Sequence, residues 1–225
     1  QNRPMSHSTR RSRLRYAPWV ASVLAILLLL SGCPERQKPP PTPPAPVTSS
    51  PATRVSEHVE AAKDQALAAA DQLGSTLKGA LVETMKTGGP LAAARVCSGS
   101  AGSLTAKVAQ DTGAAVGRSS LRLRNPDNKA PDWVQSWLEE QGERPAEGVK
   151  GSTSTSWPKA ERKAIGRVLR PVKVEAVCLH CHGAPEQLAP GVADLLAAKY
   201  PNDKATGYAL GDLRGVLWAE AVVKY

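Results

Sequence analysis

The sequence predicts an α+β domain, and three observations carry that expectation. Apolar residues first recur at three-to-four spacing, alternating apolar stretches gather in the second half, and Gly- and Pro-containing breaks separate the two regimes. Val55, Val59, Ala62, Ala66, Leu73, Leu77, Leu81 and Met85 fall on one face of a long amphipathic helix. Gly88-Gly89-Pro90 should end it, with Pro90 opening a second helix that carries Cys97. Leu104 to Gln110 reads as a further helix stopped near Gly113. The pattern then turns to strands at Ala114 to Arg118 and Leu121 to Arg124. Asp132 is placed as the N-cap of a short helix bearing Trp133, Val134, Trp137 and Leu138 on one side. Gln141 to Ser156 is polar and reads as a loop or weak hairpin. Val168 to Val174 should be a strand, Val192 to Tyr200 a helix, and Tyr200-Pro201-Asn202-Asp203 a turn. Thr206 to Leu210 and Leu213 to Val223 supply closing strands of a mostly antiparallel sheet.

Ahead of this domain the composition changes twice. Residues 1–16 carry Arg3, Arg10, Arg11, Arg13 and Arg15 without an acid, and Ala17 to Leu30 is apolar but short for a membrane span, so residues 1–32 read as an export signal. The apolar run closes on Leu30-Ser31-Gly32-Cys33, which resembles the bacterial lipobox, so Cys33 is the expected site of lipidation. Residues 33–53 are rich in Pro, Ser and Thr, cannot build a core, and read as a semi-rigid tether extended at roughly 3.1 Å per residue. Residues 54–225 then form one domain. The resulting expectation is a lipoprotein on the periplasmic side of a bacterial membrane. The formal charge of +9 falls to +4 without the five leader arginines, so neither nucleic acid binding nor a polybasic membrane patch is called for.

Chemistry concentrates in Cys178-Leu179-His180-Cys181-His182. This is CxxCH, the attachment pattern of c-type haem: two thiols for thioethers to the vinyl groups and an imidazole for one axial face of the iron. A dithiol redox centre has no use for the final His, and a closed zinc site needs four ligands from a chain whose remaining candidates are scattered. One covalent haem c is therefore the expected cofactor. With no Phe, and with Trp133, Trp137, Trp157, Trp218, Tyr200, Tyr208 and Tyr225 as the domain's aromatics, a buried macrocycle would be the largest apolar body in the core, and folding without it should suffer.

The chain has four Cys. Once Cys33 is assigned to lipid and Cys178 and Cys181 to haem, Cys97 has no disulfide partner. The residues alone leave the second axial position open among Met85, His58, His180, Cys97 and an empty site. Arg118, Arg122, Arg124 and Lys129 form a basic cluster suited to the haem propionates, with a solvated strand face as the alternative.

Four blocks carry a family resemblance: Ala92-Ala93-Ala94-Arg95-Val96-Cys97; Val116 through Pro126; Cys178-Leu179-His180-Cys181-His182-Gly183; and Tyr200 through Tyr208 with Gly211-Asp212-Leu213-Arg214-Gly215. In order and spacing they resemble a family of bacterial monohaem c-type sensory domains, over roughly residues 54–223. The resemblance implies a PAS-like fold with a central antiparallel sheet, a long N-terminal helix and flanking helices. It implies His182 as proximal ligand and Cys97 as an unusual distal one. The leading functional expectation is a membrane-tethered haem domain that senses redox state or a diatomic gas and passes a conformational change to a partner protein. The alternative is a low-potential monohaem electron-transfer cytochrome c. A haem enzyme is not expected, because no distal His and Arg pair is identifiable and a filled sixth position would block substrate.

Overall fold

Ser50 starts the first helix of the domain. Its hydroxyl accepts from the Thr53 N–H at 3.2 Å, and Pro51 enters the first turn, where its missing N–H costs nothing. The computed structural model describes residues 50–143 and 145–225. The leader, Cys33 and the tether up to residue 49 lie outside the described residues. Residues 51–53, which composition assigns to the tether, belong to the first helical turn, because the Ser50 cap overrides the proline-rich context.

Helix α1 (Pro51–Gly99) is broken where the Gly-Gly-Pro sequence requires it. Gly89 sits at φ 69° and ψ −170°, in the left-handed half of backbone space, and Pro90 restarts the helix as a second limb. The first limb divides its apolar stripe between two tasks. Ala62, Ala66, Ala69, Ala70 and Leu73 are buried against the sheet, while Leu77, Leu81 and Met85 continue along the same face to line a cavity. Helix α2 (Ala101–Thr112) follows and stops at Gly113, φ 64°, as the sequence anticipates.

The sheet has four antiparallel strands in the spatial order β1 (Ala115–Ser119), β4 (Leu213–Lys224), β3 (Lys163–Lys173), β2 (Ser152–Ser156). Side-chain alternation gives it two distinct faces. Val168, Leu217, Ala219 and Ala221 pack against the first limb of α1 and Val108 of α2. Leu169, Val216 and Trp218 face Val134, Leu138, Trp133 and Trp137 of α3 (Asp132–Gln141). The rest of the chain builds two short helices, α4 (Leu179–His182) and α5 (Val192–Lys199). The α+β class, the antiparallel sheet and the long N-terminal helix are as expected. None of the described helices is long and apolar enough to cross a membrane.

Four details depart from the sequence reading. Leu121 to Arg124 and Thr206 to Leu210 are not strands. Their alternation reflects a mutual loop clasp: Ser120 Oγ donates to the Arg122 carbonyl at 2.6 Å, Lys204 N–H donates to the Leu123 carbonyl at 3.0 Å, and the Arg122 guanidinium donates to the carbonyls of Lys204 and Thr206. The polar segment before Trp157 ends in edge strand β2, every residue of which is exposed, so it carries no apolar period to read. Strand β3 begins at Lys163, ahead of the expected Val168. Pro131 rather than Asp132 is the N-cap of α3, leaving Asp132 in the first turn, where its charge complements the helix dipole.

Helix-on-sheet packing is closest at Gly166, where an added Cβ would lie 2.3 Å from the Ala62 carbonyl oxygen. Gly166→Ala should therefore push α1 away from β3 and cost about 1–3 kcal/mol of stability, measured as a lower denaturant midpoint with an unchanged slope.

Candidate cofactor site

The CxxCH segment folds as a 3₁₀ turn, Ala176–Cys178, running into α4. Helical spacing of three and four residues brings Cys178, Cys181 and His182 toward one side. All three line the same cavity of about 560 Å³. His180 is exposed and stays outside it; its carbonyl accepts from the Ala189 N–H at 3.0 Å.

The imidazole of His182 is fixed from behind. Nδ1 donates to the Ala205 carbonyl at 2.7 Å, which leaves the Nε2 lone pair as the free ligating atom. The main chain adds two bonds, Tyr208 N–H to the His182 carbonyl at 2.9 Å and Gly207 N–H to the Gly183 carbonyl at 2.7 Å. The Tyr208 ring stands edge-on to the imidazole, with centroids 6.3 Å apart. Burial pushes the His182 pKa well below the usual imidazole range, and the cations of Arg214, Arg124 and Arg118 push it further, so the ring is neutral.

The second limb of α1 brings Cys97 to this cavity, and Met85 reaches it from the first limb. His58 does not: its Nδ1 bonds to the Arg54 carbonyl, and its ring packs on Tyr225 at 4.8 Å. Cys97 is exposed in the sense that it faces open cavity space, yet enough protein surrounds it that burial pushes its thiol up. Arg118 and Arg124 act in the opposite direction. Tyr200 ties this limb to the end of α5 through a hydroxyl that donates to the Ser98 carbonyl at 3.2 Å, while Ala94 packs with Val192 and Leu196.

The predicted basic cluster separates into three roles. Arg118 lines the cavity and has no hydrogen bond or ion pair among the described residues. Arg124 also lines it, but its donors are committed: Nε to Asp203 at 2.8 Å, and Nη2 to the carbonyls of Cys181 at 2.6 Å and Ala205 at 3.2 Å. Arg122 and Lys129 are not part of the cavity wall. The Arg122 guanidinium is held by the loop carbonyls and lies 4.2 Å over the Tyr208 ring, a clamp on the His182 loop rather than a group facing the cavity.

Sequence reasoning missed Arg214. It lines the cavity, donates from Nη1 to Ser120 Oγ at 2.9 Å, and has a fully buried Nε without a hydrogen-bond partner. Burial lowers its pKa. One signal could have flagged it: a single cation inside the otherwise apolar run Leu213-Arg214-Gly215-Val216-Leu217-Trp218.

Whether a haem c suits these residues can be tested on their chemistry. The walls are mainly apolar, with Leu77, Leu81, Val96, Leu104, Leu123, Val172 and Leu217 among them, and the volume lies within the usual ~300–1,000 Å³ of cofactor sites. Five cations (Lys78, Arg118, Arg124, Lys173, Arg214) line the cavity against the single carboxylate of Glu175. Lys78 approaches Glu175 at 3.8 Å and Arg124 is paired with Asp203, so Arg118, Lys173 and Arg214 remain without an ion pair among the described residues. A dicarboxylate macrocycle suits that imbalance, and the two thiols and the oriented imidazole suit its attachment. Among the described residues no three His, Cys, Asp and Glu side chains gather into a set that could hold a bare metal ion.

Fold and site together define an α+β domain with a cation-rich apolar cavity whose lining suits a haem. The Tll0287-like family model, described as Tll0287, matches residues 49–219, and the chain belongs to this family. That bears out the resemblance read from the four sequence blocks. Among solved structures, the crystal structure of the cyanobacterial haem protein Tll0287 is similar, with a TM-score of 0.49 and 22% sequence identity over 77% of this chain and 96% of that one. No curated protein matches the chain.

Cys97 provides a check on the site's electrostatics. In a Cys33→Ser, Cys178→Ser, Cys181→Ser chain without covalent haem, kept at a temperature where near-ultraviolet circular dichroism shows it folded, alkylation of Cys97 should reach its half-maximal rate above the ~8.5 of an ordinary thiol, because burial disfavours the thiolate. Arg118→Gln should move that pH higher still, since the lost cation favours the thiolate. The measurement is residue-resolved mass spectrometry across a pH series.

Proposed function

We propose that this domain carries one covalent haem c and works as a membrane-tethered sensor of redox state or a diatomic gas. The observation that carries the reading is the convergence of Cys97, Cys178, Cys181 and His182 on a single cation-rich apolar cavity. Cys178 and Cys181 would hold the macrocycle through thioethers, His182 Nε2 would be the proximal ligand, and Arg118 and Arg214 are the cations facing its carboxylates. The bound group supplies a one-electron couple and an axial position that a ligand can leave or enter.

The chain's own residues define the sensing element. His182 is neutral and locked in the Nε2-ligating tautomer in advance. Cys97 Sγ would be the thiolate ligand of ferric iron, with Arg118 favouring its charge. Burial would favour a proton on that sulfur whenever iron does not hold it, and so would favour release on reduction. Cys97 rides on the limb that begins at Pro90, so its attachment or release bears on the position of that limb relative to the rest of α1. The family resemblance supports a PAS-like architecture for the whole. In this reading the domain is not an enzyme and binds no nucleic acid. It is held on the periplasmic side of a bacterial membrane by lipid on Cys33 and reports to a signalling or redox partner protein.

Each part of this reading has its own measurement. A Cys178→Ser, Cys181→Ser chain should be exported without covalent haem, seen as loss of haem stain on a denaturing gel. In the loaded protein, Cys97→Ala should open the ferric site to added ligands and raise the potential, and the parent should change its ligands on reduction in a spectroscopic redox titration. A parent whose ligands stay unchanged would instead be the low-potential electron-transfer cytochrome c. For the anchor, Cys33→Ser should release the processed protein from the membrane fraction, since stable attachment needs the two acyl chains that a lipidated cysteine provides.

A further inference from the structure

Three consecutive carbonyls hold the loop that orients His182. Those of Lys204 and Thr206 accept from Arg122. The Ala205 carbonyl between them accepts twice, from His182 Nδ1 at 2.7 Å and from Arg124 Nη2 at 3.2 Å. The same Nη2 donates to the Cys181 carbonyl at 2.6 Å, so one guanidinium nitrogen touches both the CxxCH turn and the acceptor of the imidazole proton. Asp203 fixes this arrangement from its two oxygens. Oδ2 accepts from Arg124 Nε at 2.8 Å and Oδ1 from the Ala205 N–H at 2.7 Å, and both charged side chains are largely buried.

We propose that the Arg124–Asp203 pair is a positioning and tuning device for His182, setting how strongly the Ala205 carbonyl accepts the Nδ1 proton and hence how basic Nε2 is toward iron. This rests on the haem reading above. A carbonyl oxygen that accepts from a cation gives up electron density that would otherwise strengthen its second hydrogen bond. Arg124 therefore weakens the bond from Nδ1 and keeps His182 an ordinary neutral imidazole with little imidazolate character. A less basic ligand favours ferric iron less, which raises the potential. Asp203 works in the other direction, because its carboxylate draws the Arg124 charge away from the two carbonyls. The pair thus opposes the thiolate of Cys97: one axial side stabilises the oxidised state while the support of the other moderates it.

The test uses the exported, haem-loaded protein with ¹⁵N-labelled histidine, the resonance being recorded on the reduced, carbon monoxide-bound form, which is low-spin and diamagnetic, and the potential being measured without the gas. Two quantities are followed in the parent, Arg124→Gln, Arg124→Lys and Asp203→Asn: the His182 Nδ1–H resonance and the reduction potential. Arg124→Gln should move the resonance downfield, reporting a stronger hydrogen bond, and lower the potential. Asp203→Asn should shift both in the opposite sense, and Arg124→Lys should recover part of the parent values. The proposal is overturned by shifts of one sign in both Gln and Asn variants, or by a potential that moves while the resonance stays, which would be a plain charge effect. Failure of all three variants to load haem would mark a purely structural clamp and overturn it too. A parent without covalent haem would defeat the haem reading itself, and is recognised before any variant is made.

Discussion

The hydrogen bond from His182 Nδ1 to the Ala205 carbonyl is the constraint around which the site is organised. It selects the tautomer, aims Nε2, and does so in surroundings where burial first, and then three nearby arginines, make protonation of the ring unfavourable. A carbonyl can serve as this acceptor only if its loop is held in place. That need explains why residues 203–208 have so little regular structure and so many side-chain contacts. Arg122, Arg124 and Asp203 supply the order that a strand ladder would supply elsewhere.

Much of this chemistry was legible in the chain because it depends on short-range pattern. CxxCH places its thiols and imidazole by helical spacing alone, and Gly88-Gly89-Pro90 announces the break in α1 through backbone sterics that no distant contact changes. The two errors of strand assignment share a cause: Arg122 and Arg124 alternate with Leu121 and Leu123, but the arginines are anchored to a loop some eighty residues away in sequence. Division of labour among the arginines was illegible for the same reason, since which guanidinium is spent on a carbonyl and which stays free depends on tertiary partners. Arg214 escaped notice because an unpaired buried nitrogen is a property of the folded surroundings, not of the residue.

An excess of cations around an apolar cavity is unfavourable for the chain by itself. Taking Arg118 and Arg214 partly out of water without a counter-charge costs free energy, and both pKa values are lowered by burial. The apolar walls add the cost of a poorly filled interior. Each of these costs is offset by the same occupant, a flat apolar body bearing two carboxylates. If the proposed haem is that occupant, charge and packing independently favour its binding, and neither argument uses the CxxCH motif.

Leu77 and Leu217 show how the cavity is joined to the fold. Both pack against the core between α1 and the sheet, and both also line the cavity, so no spacer separates the cofactor space from the main helix–sheet interface. Close approach at Gly166 leaves the first limb of α1 little freedom to tilt on β3. On the other side of Gly89 the second limb is joined to the first through a residue whose φ only glycine adopts readily, and to the end of α5 by the Tyr200–Ser98 hydrogen bond. Cys97 thus stands on the limb beyond Gly89 and His182 on a loop held by Arg122, Arg124 and Asp203, so the two axial candidates of the proposed haem rest on differently supported parts of the fold.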